Sequence, residues 1–203
     1  MRSISQPACA ESRAPTQMIW FPGAYHGAQS FVEQGFAAAA AKRGRHLDLL
    51  FVDLEMTHLQ DRGPLERLRS EFVLPARTAG ASTWLAGISL GGLVALDYAS
   101  AHPGEIDGLC LLAPYLGNRM LIEEIAAGRL AESNAEHRIW HYIKTQSDAP
   151  PVYLAYGRQD RFSRGHDLMA SALPTRCVDV IDGGHDWPTW RKLWERFLDL
   201  HFA

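Results

Sequence analysis

Three residues of this chain have the types and settings needed for nucleophilic catalysis. Ser89 lies in Trp84-Leu85-Ala86-Gly87-Ile88-Ser89-Leu90-Gly91-Gly92, where an apolar run enters Gly87-x-Ser89-x-Gly91 and a helix-forming run leaves it. A serine on such a sharp strand-to-helix turn projects its hydroxyl away from the sheet, and glycines on either side leave room for the turn. The start of the following helix carries partial positive charge, which favours an oxyanion beside it. Asp160 follows an apolar run in Tyr156-Gly157-Arg158-Gln159-Asp160, and His185 follows another in Asp182-Gly183-Gly184-His185-Asp186-Trp187. A serine hydroxyl is a poor nucleophile at neutral pH. It needs an imidazole to take its proton, and the imidazole needs a carboxylate to fix its tautomer and stabilise its cation.

Each of these residues has a plainer alternative. The pentapeptide alone is a weak signal, because a glycine-rich turn can carry a solvent-facing serine with no chemistry. Asp160 could be a turn former, and His185 an ordinary loop histidine. Asp186 and Asp182 are rival carboxylates. Asp186 adjoins His185, which makes a productive side-chain bond awkward, and it suits the N-cap of the last helix, with Pro188 in the first turn. His137 and His141 are four apart in a predicted helix. The intervening Arg138, Ile139 and Trp140 leave no H-E-x-x-H glutamate, so no metal is expected. Neither a G-x-G-x-x-G fingerprint nor a phosphate-binding P-loop is present.

The elements that must position these residues alternate along the chain. Strands are predicted at Met18–Phe21, Leu47–Leu54, Thr83–Gly87, Ile106–Ala113, Val152–Tyr156 and Cys177–Ile181. Helices are predicted at Phe31–Ala41, Pro64–Thr78 (with Pro75 able to break the last turn), Leu90–Ala101 and Trp187–His201. Such alternation predicts an α/β fold with a mostly parallel sheet and helices on both faces. Ligands of such sheets sit beyond the carboxyl ends of the strands, where Ser89, Asp160 and His185 all fall. Between the fourth and fifth predicted strands, residues 115–150 exceed one crossover helix. They hold helix-like pieces near Asn118–Gly128 and Ser133–Lys144, and are expected to form a small helical insertion, a cap over the strand ends, with one piece serving as the crossover helix packed on the sheet as the alternative.

At this point the chain resembles a small α/β-hydrolase-fold enzyme of the serine esterase and lipase kind. The resemblance runs from about Thr16 onward and rests on Gly87-x-Ser89-x-Gly91-Gly92, Gly157-x-x-Asp160 and Gly184-His185, in that order and strand context. The stretch Gly183-Gly184-His185-Asp186-Trp187-Pro188-Thr189-Trp190 is similar to the histidine loop of esterases. The resemblance implies a Ser89–His185–Asp160 triad that cleaves a carboxylic ester through an acyl-enzyme, with no cofactor. It also implies two backbone donors for the oxyanion: Leu90 N–H, and an amide of Ala24 or Tyr25 in the loop Phe21-Pro22-Gly23-Ala24-Tyr25-His26-Gly27. His26, Tyr115, Trp140, Tyr142 and Trp187 are candidates for the substrate pocket, and His58 could also border it; core packing of the four aromatic residues and surface placement of the two histidines are the alternatives. The fold usually opens with an antiparallel hairpin that has no evident counterpart before Thr16, so the sheet is expected to be trimmed. Acyl transfer and cofactor-free haloperoxidase-like chemistry could use the same triad, and a ligand-binding protein without catalysis could use the same fold. A dehalogenase is disfavoured, because its nucleophile would be an aspartate.

Composition sets the outer bounds. The chain has 203 residues, 47% hydrophobic and 21% charged, with a net charge of −3. This suits a single domain (16–203) with a real core, without the basic cluster of a nucleic-acid binder. No apolar run reaches membrane-spanning length. Residues 1–15 are polar and small, and are expected to be a flexible lead-in rather than a secretion signal. Cys9, Cys110 and Cys177 are few, odd in number and far apart, which points to free thiols and a reducing, cytoplasmic compartment. The partner implied is a small-molecule ester or related acyl compound. Substrate identity and oligomeric state are not legible.

Overall fold

The computed structural model describes residues 1–8, 14–43, 47–53, 63–129, 135–145, 150–174 and 177–201. Seven strands form one sheet: β1 (Ser3–Gln6), β2 (Thr16–Phe21), β3 (Leu47–Val52), β4 (Ser82–Ile88), β5 (Gly108–Leu112), β6 (Val152–Gly157) and β7 (Val178–Ile181). Their spatial order is β1-β3-β2-β4-β5-β6-β7. Every neighbouring pair is parallel except β1 with β3. The helices are α1 (Ala28–Glu33), α2 (Phe36–Lys42), α3 (Gly63–Leu68), α4 (Leu74–Thr78), α5 (Leu90–Ala101), α6 (Arg119–Ala126), α7 (Ala135–Thr145), α8 (Ser163–Ala170) and α9 (Trp187–His201).

Helices cover both faces, as alternation along the strands requires. In β4, Trp84 packs on Phe197 of α9. Gly87, an odd number of residues later, faces α5 instead, where a Cβ would stand 2.2 Å from the Gly91 carbonyl carbon. On the α9 face, Trp20 of β2 meets Phe31, Phe36 and Trp194, all fully buried. This aromatic layer joins α1, α2 and α9 to the centre of the sheet. Its burial excludes enough apolar surface from water to fix which way the helices lie.

Several expectations need correction. The lead-in is not loose where it is described. Ser3–Gln6 pairs antiparallel with β3, Asp53 N–H donates to Arg2 O at 2.9 Å, and the amides of Ala8 and Ala14 donate to the Asp48 carboxylate. The strand is half-exposed and polar, and backbone pairing holds it, so no apolar alternation announced it. The sheet is therefore less trimmed than expected. The predicted helix over 31–41 is two helices, because Gly35 adopts a left-handed conformation (φ 76°) between α1 and α2. The helix expected over 64–78 survives Pro75 through a π turn at Arg69–Val73, closed by Leu74 N–H to Arg69 O. The wider turn relieves the ladder just before the residue that cannot donate. Helix α8 was absent from the predicted elements. It is eight residues long and contains Gly165, which weakens its helical signal.

The segment expected to be a cap divides in two. Helix α7 packs against α5 and is the crossover helix between β5 and β6. Trp140 is fully buried, and its Nε1–H donates to Leu116 O at 2.8 Å. Tyr142 is also buried. Helix α6 lies toward α8 instead. Trp140→Ala is therefore expected to lower stability by about 3–5 kcal/mol, the range for emptying a large buried aromatic site. Denaturant unfolding of the variant checks this.

Candidate active site

Sheet order creates the place for the site. From β2 the chain moves outward to β3, then crosses back to β4 on the other side of β2. The loops after β2 and β4 therefore diverge and leave a crevice at their carboxyl ends. Asp53, at the end of β3, steadies the first loop by accepting Ala28 N–H at 2.6 Å at the start of α1. Residues 23–26 turn back on themselves, with His26 N–H donating to Gly23 O at 3.2 Å. Tyr25 takes a positive φ of 65° in this turn and is fully exposed. Its amide and that of Ala24 donate to no backbone carbonyl among the described residues.

Ser89 occupies the turn between β4 and α5 with φ 51° and ψ −114°. A non-glycine residue held there stores strain, and the surroundings must over-determine it. They do so through the backbone. Ser89 N–H donates to Leu112 O at 3.1 Å, and Ser89 O accepts from Gly92, Leu93 and Tyr115 N–H. The turn also needs contact closer than any side chain permits. A Cβ on Gly91 would lie 2.0 Å from Phe21 O. Leu90 is the first residue of α5, so its N–H has no carbonyl one turn back within the helix and points to the polarised end. Gly23 brings the β2 loop beside the serine, since a Cβ there would sit 3.5 Å from Ser89 Cβ.

The other two residues rise from β6 and β7. Asp160 Oδ2 and His185 Nδ1 are 2.7 Å apart, and their side chains are 0% and 9% exposed. The remaining oxygen, Oδ1, accepts Phe162 N–H at 2.8 Å. Burial by itself would raise the Asp160 pKa, but the hydrogen bonds from His185 and Phe162 outweigh it and hold the carboxyl below its ordinary range. The two loops are clipped together by Gln159. Its N–H donates to Gly183 O at 3.0 Å and its side-chain oxygen accepts Gly183 N–H at 2.6 Å. Gly157 permits this approach, as a Cβ there would lie 2.2 Å from Gly183 O.

Two rings that sequence reasoning did not assign to the site grip the imidazole. Phe162 and Trp190 each meet His185 edge-on, with centroids 5.0 Å away. Trp190 was legible only as an apolar position of α9. Phe162 follows Asp160 by two residues on a loop and shows no periodic signal. Phe162 also meets Tyr115, whose backbone is bonded to Ser89, so the serine and histidine loops share one wall.

Of the candidate pocket residues, the structure brings His26, Tyr115 and Trp187 to this corner. His26 packs on Trp187 at 5.2 Å and lies beside Gly23. Trp140 and Tyr142 belong to the core, and neither lines the cavity next to Phe162. His58 lies outside the described residues, as does Cys9; Cys110 is buried and Cys177 half-buried, both free. His137 is buried on α7 and His141 is exposed. Asp186 does cap α9, its Oδ1 accepting Thr189 N–H at 3.0 Å and the Thr189 hydroxyl at 2.7 Å. Asp182 is 86% exposed opposite Arg158.

Comparison with known proteins decides the family. The family model described as "Putative esterase" matches residues 66–198, which include Ser89, Asp160 and His185. The chain belongs to this esterase family. It is an ester hydrolase whose fold matches that of solved α/β serine hydrolases. Solved structures share the fold at low identity. FphF, a fluorophosphonate-binding serine hydrolase of Staphylococcus aureus, superposes with a TM-score of 0.70 at 12% identity, covering 94% of this chain and 86% of its own. A ferulic acid esterase gives a TM-score of 0.66 at 14% identity, with coverage of 97% and 96%. An α/β serine hydrolase homologue from Coxiella burnetii gives 0.63 at 18% identity, covering 97% and 89%. No curated protein sequence matches the chain. Among the described residues of this esterase, no helix is long and apolar enough to cross a membrane.

One histidine of the esterase was not singled out by its sequence. His166 of α8 is fully buried behind Asp160 and shares a hydrogen bond of 2.9 Å between Nε2 and Pro114 O. A carbonyl can only accept, so Nε2 carries the proton. Nδ1 then has no partner among the described residues, and protonating it would bury an unpaired charge. Burial lowers the His166 pKa, with Asp160 and the Pro114 bond opposing. A depressed histidine gives stability that is complete above the unfolded value of about 6.5 and is lost as pH falls below it. The unfolding free energy is expected to drop as pH falls from about 6.5 into the acid range, with a slope of at most about 1.4 kcal/mol per pH unit from this group. His166→Gln should reduce the slope, measured by calorimetry across that range.

Proposed function

We propose that the esterase cleaves carboxylic esters through a Ser89–His185–Asp160 triad and an acyl-enzyme. The observation that carries this is the buried Asp160–His185 pair on loops sharing a wall with Ser89, whose backbone is held in the strained elbow conformation. Asp160 stays anionic, fixes the proton on Nδ1 and leaves Nε2 free to accept the Ser89 proton. The serine oxygen attacks the ester carbonyl. Leu90 N–H, with the amide of Ala24 or Tyr25, receives the developing oxyanion. His185 returns its proton to the leaving alcohol. Water then repeats the cycle with the acyl-enzyme and releases the acid. A small-molecule ester is the substrate.

A fluorophosphonate probe followed by peptide mass spectrometry tests the assignment. Labelling is expected at Ser89 and lost after denaturation. Labelling at another serine, or none in folded protein, would remove the triad.

A further inference from the structure

A cavity of about 390 Å³ adjoins the catalytic corner. Its walls come from Leu116, Gly117, Arg119, Ile122 and Glu123 before and in α6, and from Arg161, Phe162, Arg164 and Gly165 before and in α8. Phe162 divides it from the imidazole. One edge of this ring meets His185, and the Arg161 guanidinium carbon lies 4.9 Å over its face. The cavity is thus one ring away from the proposed base.

Its charge is unbalanced. Three arginines and one glutamate line it. Arg164 pairs with Glu123 at 2.6 Å. Arg119 and Arg161 have no carboxylate partner among the described residues. Leu116, Ile122 and Phe162 add apolar surface to the same lining, which would receive a short carbon chain. Planar guanidinium forks bind carboxylates and phosphates through charge-assisted hydrogen bonds. The Arg161 guanidinium over the Phe162 ring gains a cation–π contact at the cavity wall.

We propose that this cavity binds an anionic group of the substrate, so that the enzyme prefers esters bearing a carboxylate or a phosphorus oxyanion a few carbons from the ester bond. The proposal rests on the serine esterase reading, and its test separates the two. Aryl esters of glutaric acid and of 4-phosphonobutyric acid are compared with the neutral aryl pentanoate. On the alcohol side, 4-acetoxybenzoate is compared with its methyl ester. The expected result is at least one charged-to-neutral kcat/KM ratio above about ten, falling about tenfold in Arg161→Gln and in Arg119→Gln and weakening with salt. Which ester shows the ratio identifies the anion and its side. Lys42→Gln, an exposed change on α2, should leave the ratio unaltered. Ratios near one on every pair, or ratios retained in both arginine variants, overturn the proposal while neutral turnover keeps the esterase reading. Absence of all turnover removes that reading instead. Calorimetric titration with glutarate then decides the cavity alone: binding lost in Arg161→Gln supports it, and no binding overturns it.

Discussion

Ser89→Ala is expected to reduce ester turnover by about 10⁴-fold or more, with the fold retained. The hydroxyl supplies the bond-forming oxygen, and water positioned by chance does not replace it. What remains is substrate binding and the oxyanion amides, which act without a nucleophile. The backbone bonds that hold the elbow use Ser89 N–H and O, which alanine keeps. Alanine at φ 51° is as strained as serine, so stability should change little. Steady-state hydrolysis of an aryl acetate, with circular dichroism as a fold check, measures both. Wild-type turnover in a clean preparation would displace Ser89 from its role.

Asp160→Asn is expected to cost roughly 10³–10⁴-fold in kcat, with little change in KM. An amide can present its N–H₂ group to His185 Nδ1 and so favour the wrong tautomer. It also fails to balance the imidazolium. Asp186→Asn should be almost neutral, because asparagine caps a helix about as well as aspartate and Thr189 N–H keeps its acceptor. Asp182→Asn removes only an exposed pair at 3.4 Å with Arg158. Kinetics of the three variants decide among the carboxylates. If Asp182 or Asp186 carries the large effect, Asp160 does not orient the base.

The contrast among these three aspartates shows how much of the site was legible. Chain order placed Asp160 after one strand and His185 after another, and the 2.7 Å contact follows from those strands being neighbours. Asp186 as a cap was legible because capping is local, decided by three residues and one helix start. For Trp140 and Tyr142 the sequence leaves pocket and core equally open, for the opposite reason. An aromatic residue on an amphipathic helix looks the same whether the helix lies on the sheet or over the active site. Packing of α7 on α5 settles that, and no local pattern encodes it.

By itself the sequence determined what local rules control: the alternation of strands and helices, the glycine-flanked turn at Ser89, the cap of α9 and the chain order of serine, aspartate and histidine. Tertiary structure alone decided what depends on residues far apart in the chain. It paired polar Ser3–Gln6 with β3 through backbone bonds that carry no side-chain signature. It set Phe162 and Trp190 against His185, and opened a cavity between α6 and α8 lined by both Arg119 and Arg161, from positions 42 residues apart. Such contacts arise from the strand order and from side-chain volumes filling the space between elements. A linear pattern specifies which face of an element is apolar, but not which neighbour that face will meet.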